Sequence, residues 1–532
     1  MNTTALTVEV GVGPVAPEDL LAVARDGAAV RLTAEASAAI ERARAVVDAL
    51  ADDAVPHYGI STGFGALATR HIAPERRADL QRSLIRSHAA SSGPPVEVEV
   101  VRAMMLLRLS TVAGGHTGVH LATAQLLADL LNHDITPVVR EYGSLGCSGD
   151  LAPLSHCALA LMGEGEVMTP DGESHPAAEA LARAGLAPVE LDAKEGLALI
   201  NGTDGMLGML LMAIADLTML LRTADVAAAM SVEAQLGTDR VFAAELQALR
   251  PHPGQAASAA NLRALLADSG VVASHRGPDC NRVQDAYSLR CSPQVHGAVR
   301  DTIAHALTVA ERELAASIDN PVVLSDEGRG DLTSGEPGGG APGRVESNGN
   351  FHGAPVAYVL DFLAIAVADA ASMSERRTDR FLDAARNNGL PPFLAHDPGV
   401  DSGLMIAQYT QAGVVAELKR LAVPASVDSI PSSAMQEDHV SMGWGAARKL
   451  RRAVDGLTRV LAIEVMTSAR ALDLRSPLRP APASTAVVQL LREHGVGAPG
   501  PDRYLSPEIE TSYRLVRDGA VVATAQRHVT LQ

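Results

Sequence analysis

Cys147, Ser148 and Gly149 are consecutive residues whose types could together produce a reactive group. In such a tripeptide, the amide nitrogen of Gly149 can attack the carbonyl carbon of Cys147 and close a five-membered ring. Loss of two waters, one of them from Ser148, leaves an exocyclic methylene that is an electrophile. Glycine is needed at the attacking position because a side chain would obstruct the backbone approach. The chain could therefore make its own electrophile.

The residues around this tripeptide decide between that chemistry and an ordinary glycine-rich turn before a helix, with Asp150 as N-cap. The block at 143–154 reads GSLGCSGDLAPL. It resembles the signature of the aromatic amino acid ammonia-lyases, and the likeness extends from about residue 33 to near residue 505. The resemblance implies that residues 147–149 form 4-methylideneimidazol-5-one (MIO) autocatalytically, with no external cofactor. The Cys-Ser-Gly version resembles that of the histidine-specific members of actinobacterial type.

Tyr58 lies in a segment, residues 57–65, that holds three glycines within seven residues. Such a segment is not a stable helix and can bend closely around a ligand. Packing of a loop aromatic on the core would also explain the tyrosine. The resemblance implies that Tyr58 is the catalytic base at the β-carbon. A phenol with a pKa of about 10 needs neighbouring positive charge or hydrogen-bond donors to do this near neutral pH.

Gln284, Tyr287 and Arg290 recur every three residues and would share one face of a helix or tight turn. A solvated face would show the same pattern. The planar fork of an arginine suits a carboxylate better than a lysine does. The resemblance implies that Arg290 binds the substrate α-carboxylate, while Tyr287 and Gln284 help form or polarise the MIO group and orient the substrate.

Asn201 and Phe351 lie in two polar turns, LINGT at 199–203 and SNGNFHG at 347–353. Asn201 could cap the long helix that follows it. The resemblance places Asn201 in the active site, as a donor that stabilises negative charge on the MIO oxygen. It also implies that Phe351 forms a wall of that site.

Glu437 and His88 are the residues expected to select the substrate. The run of titratable residues at 437–439 would ordinarily be a charge preference at a helix start, and a lone histidine is more often a core residue. In the family resemblance, Glu437 and the pair Ser87-His88 match histidine-specific members. A buried carboxylate favours an imidazole over a phenyl ring, which would leave it unpaired.

Together these residues predict a carbon–nitrogen lyase that deaminates L-histidine non-oxidatively to trans-urocanate and ammonia. Tyr58, Tyr287 and Glu437 would be catalytic, and the resemblance implies a homotetramer whose sites draw segments from more than one subunit. A tyrosine or phenylalanine ammonia-lyase and an MIO aminomutase are alternatives. An inactive helical scaffold and a fumarase-type lyase, which makes no internal electrophile, are alternatives from other classes.

The composition limits which fold classes and which partners are expected. The chain has 532 residues, 47% of them hydrophobic and only 3% aromatic, which favours an all-α architecture with a large core. Its formal charge of -18, without basic runs interleaved with aromatics, argues against a nucleic-acid partner. The first twelve residues show no secretory signal, so a cytoplasmic protein is expected.

The remaining composition argues against membrane and metal sites. The apolar stretch at 206–221 is broken by Asp216 and falls short of a bilayer span, so no membrane is expected. The four cysteines have no metal-ligand spacing and no disulfide framework, so no metal is expected.

Helical periodicity divides the chain. Short helices are predicted at 36–51, 74–88, 96–112 and 119–131, and long ones at 204–234, 293–317, 355–383, 403–421 and 435–470. Long helices with few breakers indicate a bundle, as in the aromatic ammonia-lyase and fumarase architecture. We expect an N-terminal MIO-bearing domain at 1–200, a central long-helix bundle at 201–480 and a C-terminal helix and tail at 481–532.

Some residues stand apart from these patterns. The low-complexity segment at 325–344 is expected to be an exposed loop. His120-Leu121, His296 and Ser91-Ser92 depart from the residues that the family more often has, which bears on rate and affinity more than on reaction class.

Overall fold

Helices dominate the computed structural model, which describes residues 6–52, 56–67, 69–146, 149–277, 280, 283–325 and 343–532. About 59% of the chain is helical, which confirms the all-α prediction. The α-helices are Pro17–Arg25, Ala34–Ala51, Arg77–His88, Val98–Ala113, Leu121–Asn132, Leu151–Leu161, Ala177–Ala184, Glu195–Ile200, Asp204–Ala234, Ala244–Ala248, Pro253–Leu265, Gly270–Ala273, Tyr287–Arg290, Ser292–Leu314, Ala354–Leu382, Met405–Leu421, Gly443–Asp473, Pro482–Glu493, Ser506–Arg517 and Ala520–Ala525.

The strands are short and pair in small ribbons. The 3-10 helices are Gly65–Leu67, Pro74–Arg76, Arg240–Phe242, Pro392–Leu394 and Ser433–Met435. The strands are Thr7–Val10, Ala29–Leu32, Ser92–Pro95, Thr136–Pro137, Arg140–Tyr142, Glu166–Met168, Ser174–Pro176, Val322–Ser325 and Gly343–Glu346. The first two pair in parallel, with Thr7 opposite Ala29, and the last two pair antiparallel, with Val322 opposite Glu346.

The predicted helices agree with the observed ones to within a few residues, with one exception. The helix predicted over 435–470 begins only at Gly443 and ends at Asp473. Backbone φ is positive at Met435 and Met442, so the chain cannot coil there as a right-handed helix. The N–H of Met442 donates to the carbonyl of Leu145 at 2.8 Å instead of to a helical carbonyl. Residues 435–442 are therefore an ordered loop and not the start of the helix, which corrects the prediction.

The chain forms two compact units, each made of separated segments. The first comprises Met1–Met212, Thr308–Leu360 and Ala425–Arg448. The second comprises Ala213–Leu307, Asp361–Pro424 and Lys449–Gln532. The contiguous division into residues 1–200, 201–480 and 481–532 stays a prediction. The segment expected as a loop at 325–344 lies outside the described residues from 326 to 342.

Ile60 anchors the glycine-rich segment that holds Tyr58. Its side chain is fully buried in a hydrophobic cluster of the first unit. The other buried members of that cluster are Ala43, Val46, Val47, Leu50, Ala193 and Val323. Burial of an aliphatic side chain of this size stabilises the fold by roughly 1.5–3 kcal/mol, so the loop is tied to the core on one side of Tyr58.

Two apolar stretches have the length and hydropathy of a membrane span. They are Glu195–Ala234 and Ala354–Leu382, and 78% and 61% of their apolar windows are buried inside the protein. Core helices of globular proteins have the same length and hydropathy, and most of each apolar window is buried inside the protein.

Candidate active site

The electrophile predicted at residues 147–149 is flanked by a tightly held backbone. Cys147 and Ser148 themselves lie outside the described residues. On the N-terminal side, the carbonyl of Gly146 accepts a hydrogen bond from the Ser441 hydroxyl at 3.0 Å. The N–H of Met442 donates to the carbonyl of Leu145. The loop before the helix Gly443–Asp473 therefore holds one end of the tripeptide.

Gly149 fits the requirement for glycine at the position that attacks. Its φ is +77°, a conformation that residues with a side chain rarely adopt. A Cβ added there would lie 2.0 Å from the carbonyl oxygen of Gly202. The N–H of Asp150 donates to that same carbonyl at 2.7 Å, so the C-terminal end of the tripeptide lies directly against the turn of Asn201.

Asp150 has a different role from the N-cap considered for it. Its carboxylate makes no capping bond to the helix Leu151–Leu161. It accepts instead from the hydroxyl of Ser144 at 2.8 Å and from the N–H of Met206 at 2.9 Å. Burial raises the pKa of this fully buried carboxyl to about 7, against the opposing effect of those hydrogen bonds. Asp150 thus caps the start of the long helix Asp204–Ala234, a contact that sequence reasoning missed.

Asn201 does not cap that helix. Its Nδ2 donates to the carbonyl of Asn320 at 3.0 Å. Its Oδ1 is buried and has no hydrogen-bond partner. An amide with spare hydrogen-bonding capacity beside Gly149 is suited to contact a group formed at the tripeptide.

Tyr58 is half-buried and its hydroxyl accepts from the N–H of Gly65 at 3.3 Å. Burial raises the pKa of Tyr58; the Gly65 N–H opposes that shift, and the charge of Glu437 adds to it. A tyrosine base that works near neutral pH needs an environment that lowers this pKa. Within the chain, the environment of Tyr58 does the opposite.

Glu437 lies in the ordered loop at 435–442 and not at a helix start as expected. Its Oε2 accepts from the Ser432 hydroxyl at 2.8 Å, and the two residues exchange backbone hydrogen bonds of 2.8 and 3.2 Å. The 3-10 helices Gly65–Leu67 and Ser433–Met435 pack against each other. The structure thus brings the loops of Tyr58 and Glu437 together.

His88 is the last residue of the helix Arg77–His88 and is half-buried. Its Nδ1 lies 2.9 Å from the carbonyl of Leu84 and 3.0 Å from the hydroxyl of Ser87. Because Nδ1 donates to a carbonyl, the neutral ring presents Nε2 as an acceptor. The described hydrogen bonds of the His88 side chain are both made within its own helix.

Phe351 lies in a turn that touches two other parts of the candidate site. The N–H of Gly353 donates to the carbonyl of Gly146 at 3.4 Å. The ring of His352 stacks on that of His439, with centroids 5.6 Å apart and an angle of 3° between the planes. This turn therefore connects the flank of the tripeptide to the segment that holds Glu437. Sequence reasoning did not single out the two histidines.

Gln284, Tyr287 and Arg290 form a cluster of their own in the second unit. An Nη2 of Arg290 donates to Oε1 of Gln284 at 2.6 Å, and the guanidinium lies 4.7 Å from the centroid of the Tyr287 ring. Within residues 284–290 only Tyr287–Arg290 is helical, and Gln284 precedes it outside any helix or strand. Tyr287 is 71% exposed, so this cluster is open to solvent in the single chain.

A buried ion pair contacts the backbone of this cluster. Arg377 and Glu464 are both fully buried and pair through two hydrogen bonds of 2.5 and 2.9 Å. Arg377 also donates to the carbonyl of Ser288 at 3.3 Å, between Tyr287 and Arg290.

The histidines that depart from the family pattern make structural contacts. His296 is fully buried and its Nδ1 lies 2.8 Å from Asp225. Nδ1 of His120 lies 3.0 Å from the buried carboxylate of Glu195. Neither contact includes a residue assigned to the candidate site. Among the described residues, no group of three or more histidine, cysteine or acidic side chains is arranged to hold a metal.

Comparison with known proteins identifies the family. Residues 15–493 match the sequence profile of the family described as aromatic amino acid lyase. The chain is 65% identical over 520 residues to a histidine ammonia-lyase of Streptomyces coelicolor, covering 98% of each protein. The chain belongs to the aromatic amino acid lyase family.

Solved structures of similar proteins share the fold. A tyrosine aminomutase from Streptomyces globisporus matches with a TM-score of 0.91 and 36% identity, over 99% of this chain and 100% of that one. A histidine ammonia-lyase from Trypanosoma cruzi matches with a TM-score of 0.87 and 37% identity, over 99% of this chain and 96% of that one.

Proposed function

We propose that this member of the aromatic amino acid lyase family eliminates ammonia from L-histidine and releases trans-urocanate. The observation that carries the proposal is the 65% identity, over nearly the whole chain, to a protein named histidine ammonia-lyase. Glu437 supports it from the structure, because a carboxylate held by Ser432 beside the Tyr58 loop offers a partner to an imidazole.

The electrophile of the proposed reaction is MIO, formed from Cys147, Ser148 and Gly149. The backbone on both sides of the tripeptide is held, and Gly149 occupies a place that admits no side chain, so the described residues fit the group. MIO supplies an electron-poor methylene that withdraws electron density from the substrate. Asn201, whose turn lies against Gly149, is proposed to donate its second Nδ2 hydrogen to the MIO oxygen, because the first is donated to the carbonyl of Asn320.

The remaining roles are assigned to side chains of the chain itself. Tyr58 removes the β-proton, with its hydroxyl oriented by the Gly65 N–H. Glu437 and His88 hold the imidazole, and Phe351 bounds the site. Arg290 binds the α-carboxylate, with its guanidinium oriented by Gln284 and Tyr287.

The proposed enzyme is a cytoplasmic homotetramer whose sites draw segments from more than one subunit. Apolar side chains on two long helices of the second unit support association, because they are exposed in the single chain: Phe362 at 48%, Ile365 at 45%, Ile406 at 58% and Tyr409 at 60%. Sedimentation velocity tests the state directly, and a monomer at micromolar concentration would contradict it.

Purified protein incubated separately with histidine, phenylalanine and tyrosine tests the reaction. We expect ammonia and an ultraviolet-absorbing conjugated product from histidine. The intact protein should weigh two waters less than its sequence, and Ser148→Ala should restore the full mass and abolish turnover. Activity on tyrosine but not histidine would contradict the substrate assignment.

A second candidate function is favoured by the fold comparison. The match to a tyrosine aminomutase is as close in structure as the match to a histidine ammonia-lyase. An aminomutase returns the amino group to the β-carbon and releases a β-amino acid. Chromatography of the products therefore separates the two, because only a lyase releases ammonia in proportion to histidine consumed.

A further inference from the structure

Residues 318–321 connect parts of the candidate site that are far apart in sequence. They follow the helix Ser292–Leu314 and precede the strand Val322–Ser325. No role was assigned to them from the sequence. Their hydrogen bonds and packing contacts reach three separate segments of the first unit.

The first connection is to Asn201. The carbonyl of Asn320 accepts from the Asn201 Nδ2 at 3.0 Å. Because Nδ2 is anchored there, the plane of the Asn201 amide is set by the position of the Asn320 backbone. A shift of that carbonyl would rotate the amide relative to Gly149.

The second connection is to the turn that holds Phe351. The side-chain Oδ1 of Asn320 accepts from the hydroxyl of Ser347 and from the N–H of Asn348, both at 3.0 Å. The Nδ2 of Asn348 donates in turn to the carbonyl of Asp319 at 3.0 Å. One side-chain oxygen thus fixes the entry of the chain into the turn at 347–353.

The third connection is to the loop of Tyr58. Gly59 has a φ of +74°, and a Cβ there would lie 3.3 Å from Cδ of Pro321 and 2.9 Å from Leu197. The backbone next to Tyr58 therefore packs directly on the Pro321 ring. This contact transmits the position of residues 320–321 to the loop of the proposed base.

The segment is itself held from the interior. The Nζ of Lys194 lies 2.5 Å from Oδ2 of Asp319, and both side chains are buried. The other carboxylate oxygen accepts from the N–H of Asn320 at 2.7 Å. Arg108, also buried, donates to the carbonyl of Ile318 at 3.3 Å. Loss of one partner of a buried ion pair is strongly destabilising, so the Lys194–Asp319 pair ties this segment to the stability of the fold.

We propose that Asn320 is a positioning residue that sets the placement of Asn201 and of the Phe351 turn, and through Pro321 that of the Tyr58 loop. The inference rests on the proposed function for the roles of those three residues. Asn320 acts through them and not on the substrate. Misplacement of catalytic groups by about 1 Å is enough to lower turnover on the order of 100-fold.

Asn320→Ala tests the proposal, with Asn320→Asp as the conservative variant because it keeps an acceptor at Oδ1. We expect Asn320→Ala to lower kcat for histidine on the order of 10- to 100-fold in protein that still lacks two waters by mass. Asn320→Asp should recover most of that loss. Ser347→Ala, which removes one donor only, should give a smaller loss.

A matched control separates positioning from stability. The side chain of Asn132 likewise makes two hydrogen bonds, in its case both to the backbone of Val30, and it lies in the same compact unit. Asn132→Ala should lower thermal stability without changing kcat or KM. A kcat for Asn320→Ala within about twofold of the wild type, or a loss that Asn320→Asp shares in full, would overturn the proposal.

Amide hydrogen exchange provides a readout that does not depend on activity. Peptides covering 57–65 and 347–353 should exchange faster in Asn320→Ala than in the wild type, and should be unchanged in Asn132→Ala. If the wild type does not act on histidine, the proposed function fails, and exchange still decides whether Asn320 positions these segments. Unchanged exchange in both peptides would refute the positioning role.

Discussion

The carboxylate of Asp150 accepts a hydrogen bond from the N–H of Met206 at 2.9 Å. This contact joins the residue after the tripeptide to the first turn of a helix that begins 54 positions later, at Asp204. The positive end of a helix dipole favours a carboxylate, but complete burial opposes its charge. The balance raises the pKa of Asp150 to about 7.

The raised pKa predicts how stability depends on pH. The folded state binds a proton more tightly than the unfolded state, whose carboxyl has the ordinary value of 3.8. The stabilisation of the fold by protonated Asp150 is complete below pH 3.8 and is lost as pH rises through about 7. The loss amounts to at most about 4 kcal/mol in the free energy of unfolding. In Asp150→Asn, which cannot titrate, the free energy of unfolding should fall less between pH 4 and 8. Urea unfolding at a series of pH values measures this, and a slope equal to that of the wild type would contradict it. The exposed Asp518→Asn is the control.

Tyr58→Phe should lower kcat by roughly 10²- to 10⁴-fold, because it removes the proposed base. The protein should still lack two waters by mass, since the phenol is not assigned to ring formation. Intact-protein mass and ammonia release from histidine measure the two effects separately. Tyr504→Phe, at a side chain that is 79% exposed, should behave as the wild type. Full turnover in Tyr58→Phe would exclude the tyrosine as base.

Glu437→Gln should change the pH profile as well as the rate. Removing the charge of Glu437 removes one cause of the raised Tyr58 pKa. Tyrosinate is the basic form, so activity rises with pH up to that pKa, and the rise should move to lower pH in the variant. At the same time kcat/KM for histidine should fall, on the order of 10- to 100-fold, because the imidazole loses a charged partner. Profiles of kcat/KM against pH measure both effects. A rise that stays at the same pH would show that Glu437 does not act on Tyr58.

Gly149→Ala should prevent formation of the electrophile. The new Cβ would lie 2.0 Å from a backbone oxygen that cannot move away cheaply. We expect full, uncyclised mass and no detectable turnover. Gly413→Ala is the matched control, because it lies in the helix Met405–Leu421 with open space around it and should be neutral or stabilise by up to about 1 kcal/mol. A mass deficit of two waters in Gly149→Ala would contradict the expectation.

Arg290→Lys should raise KM for histidine on the order of 10- to 100-fold. Lysine keeps the charge but loses the fork that binds a carboxylate through two hydrogen bonds, and it loses the planar contact with Tyr287. Steady-state kinetics measure the change. Arg420→Lys, at a side chain that is 80% exposed, should leave KM unchanged. An unchanged KM in Arg290→Lys would argue against carboxylate binding at this residue.

Much of the helical framework could be predicted from the sequence. The helix Asp204–Ala234 is predicted with both ends correct, because its helix-forming residues run without a proline and its limits carry local signals. The helix expected from residue 435 begins only at Gly443, because its first residues are held by a distant segment. The N–H of Met442 bonds to Leu145, nearly three hundred positions away, and no local pattern reveals that partner.

In the candidate site, too, some features were predictable from the sequence and others were not. The sequence alone determined which residues could do the chemistry: a tripeptide able to cyclise, a tyrosine among glycines and an arginine with a carboxylate-binding fork. Their surroundings depend on contacts between distant segments, which only the tertiary structure decided. It placed Asp150 at the start of another helix and brought the Glu437 loop to the Tyr58 loop, so that burial and a neighbouring charge raise the pKa of that tyrosine. Residue type is encoded locally, whereas desolvation and electrostatic interaction arise only when the folded chain brings those segments together.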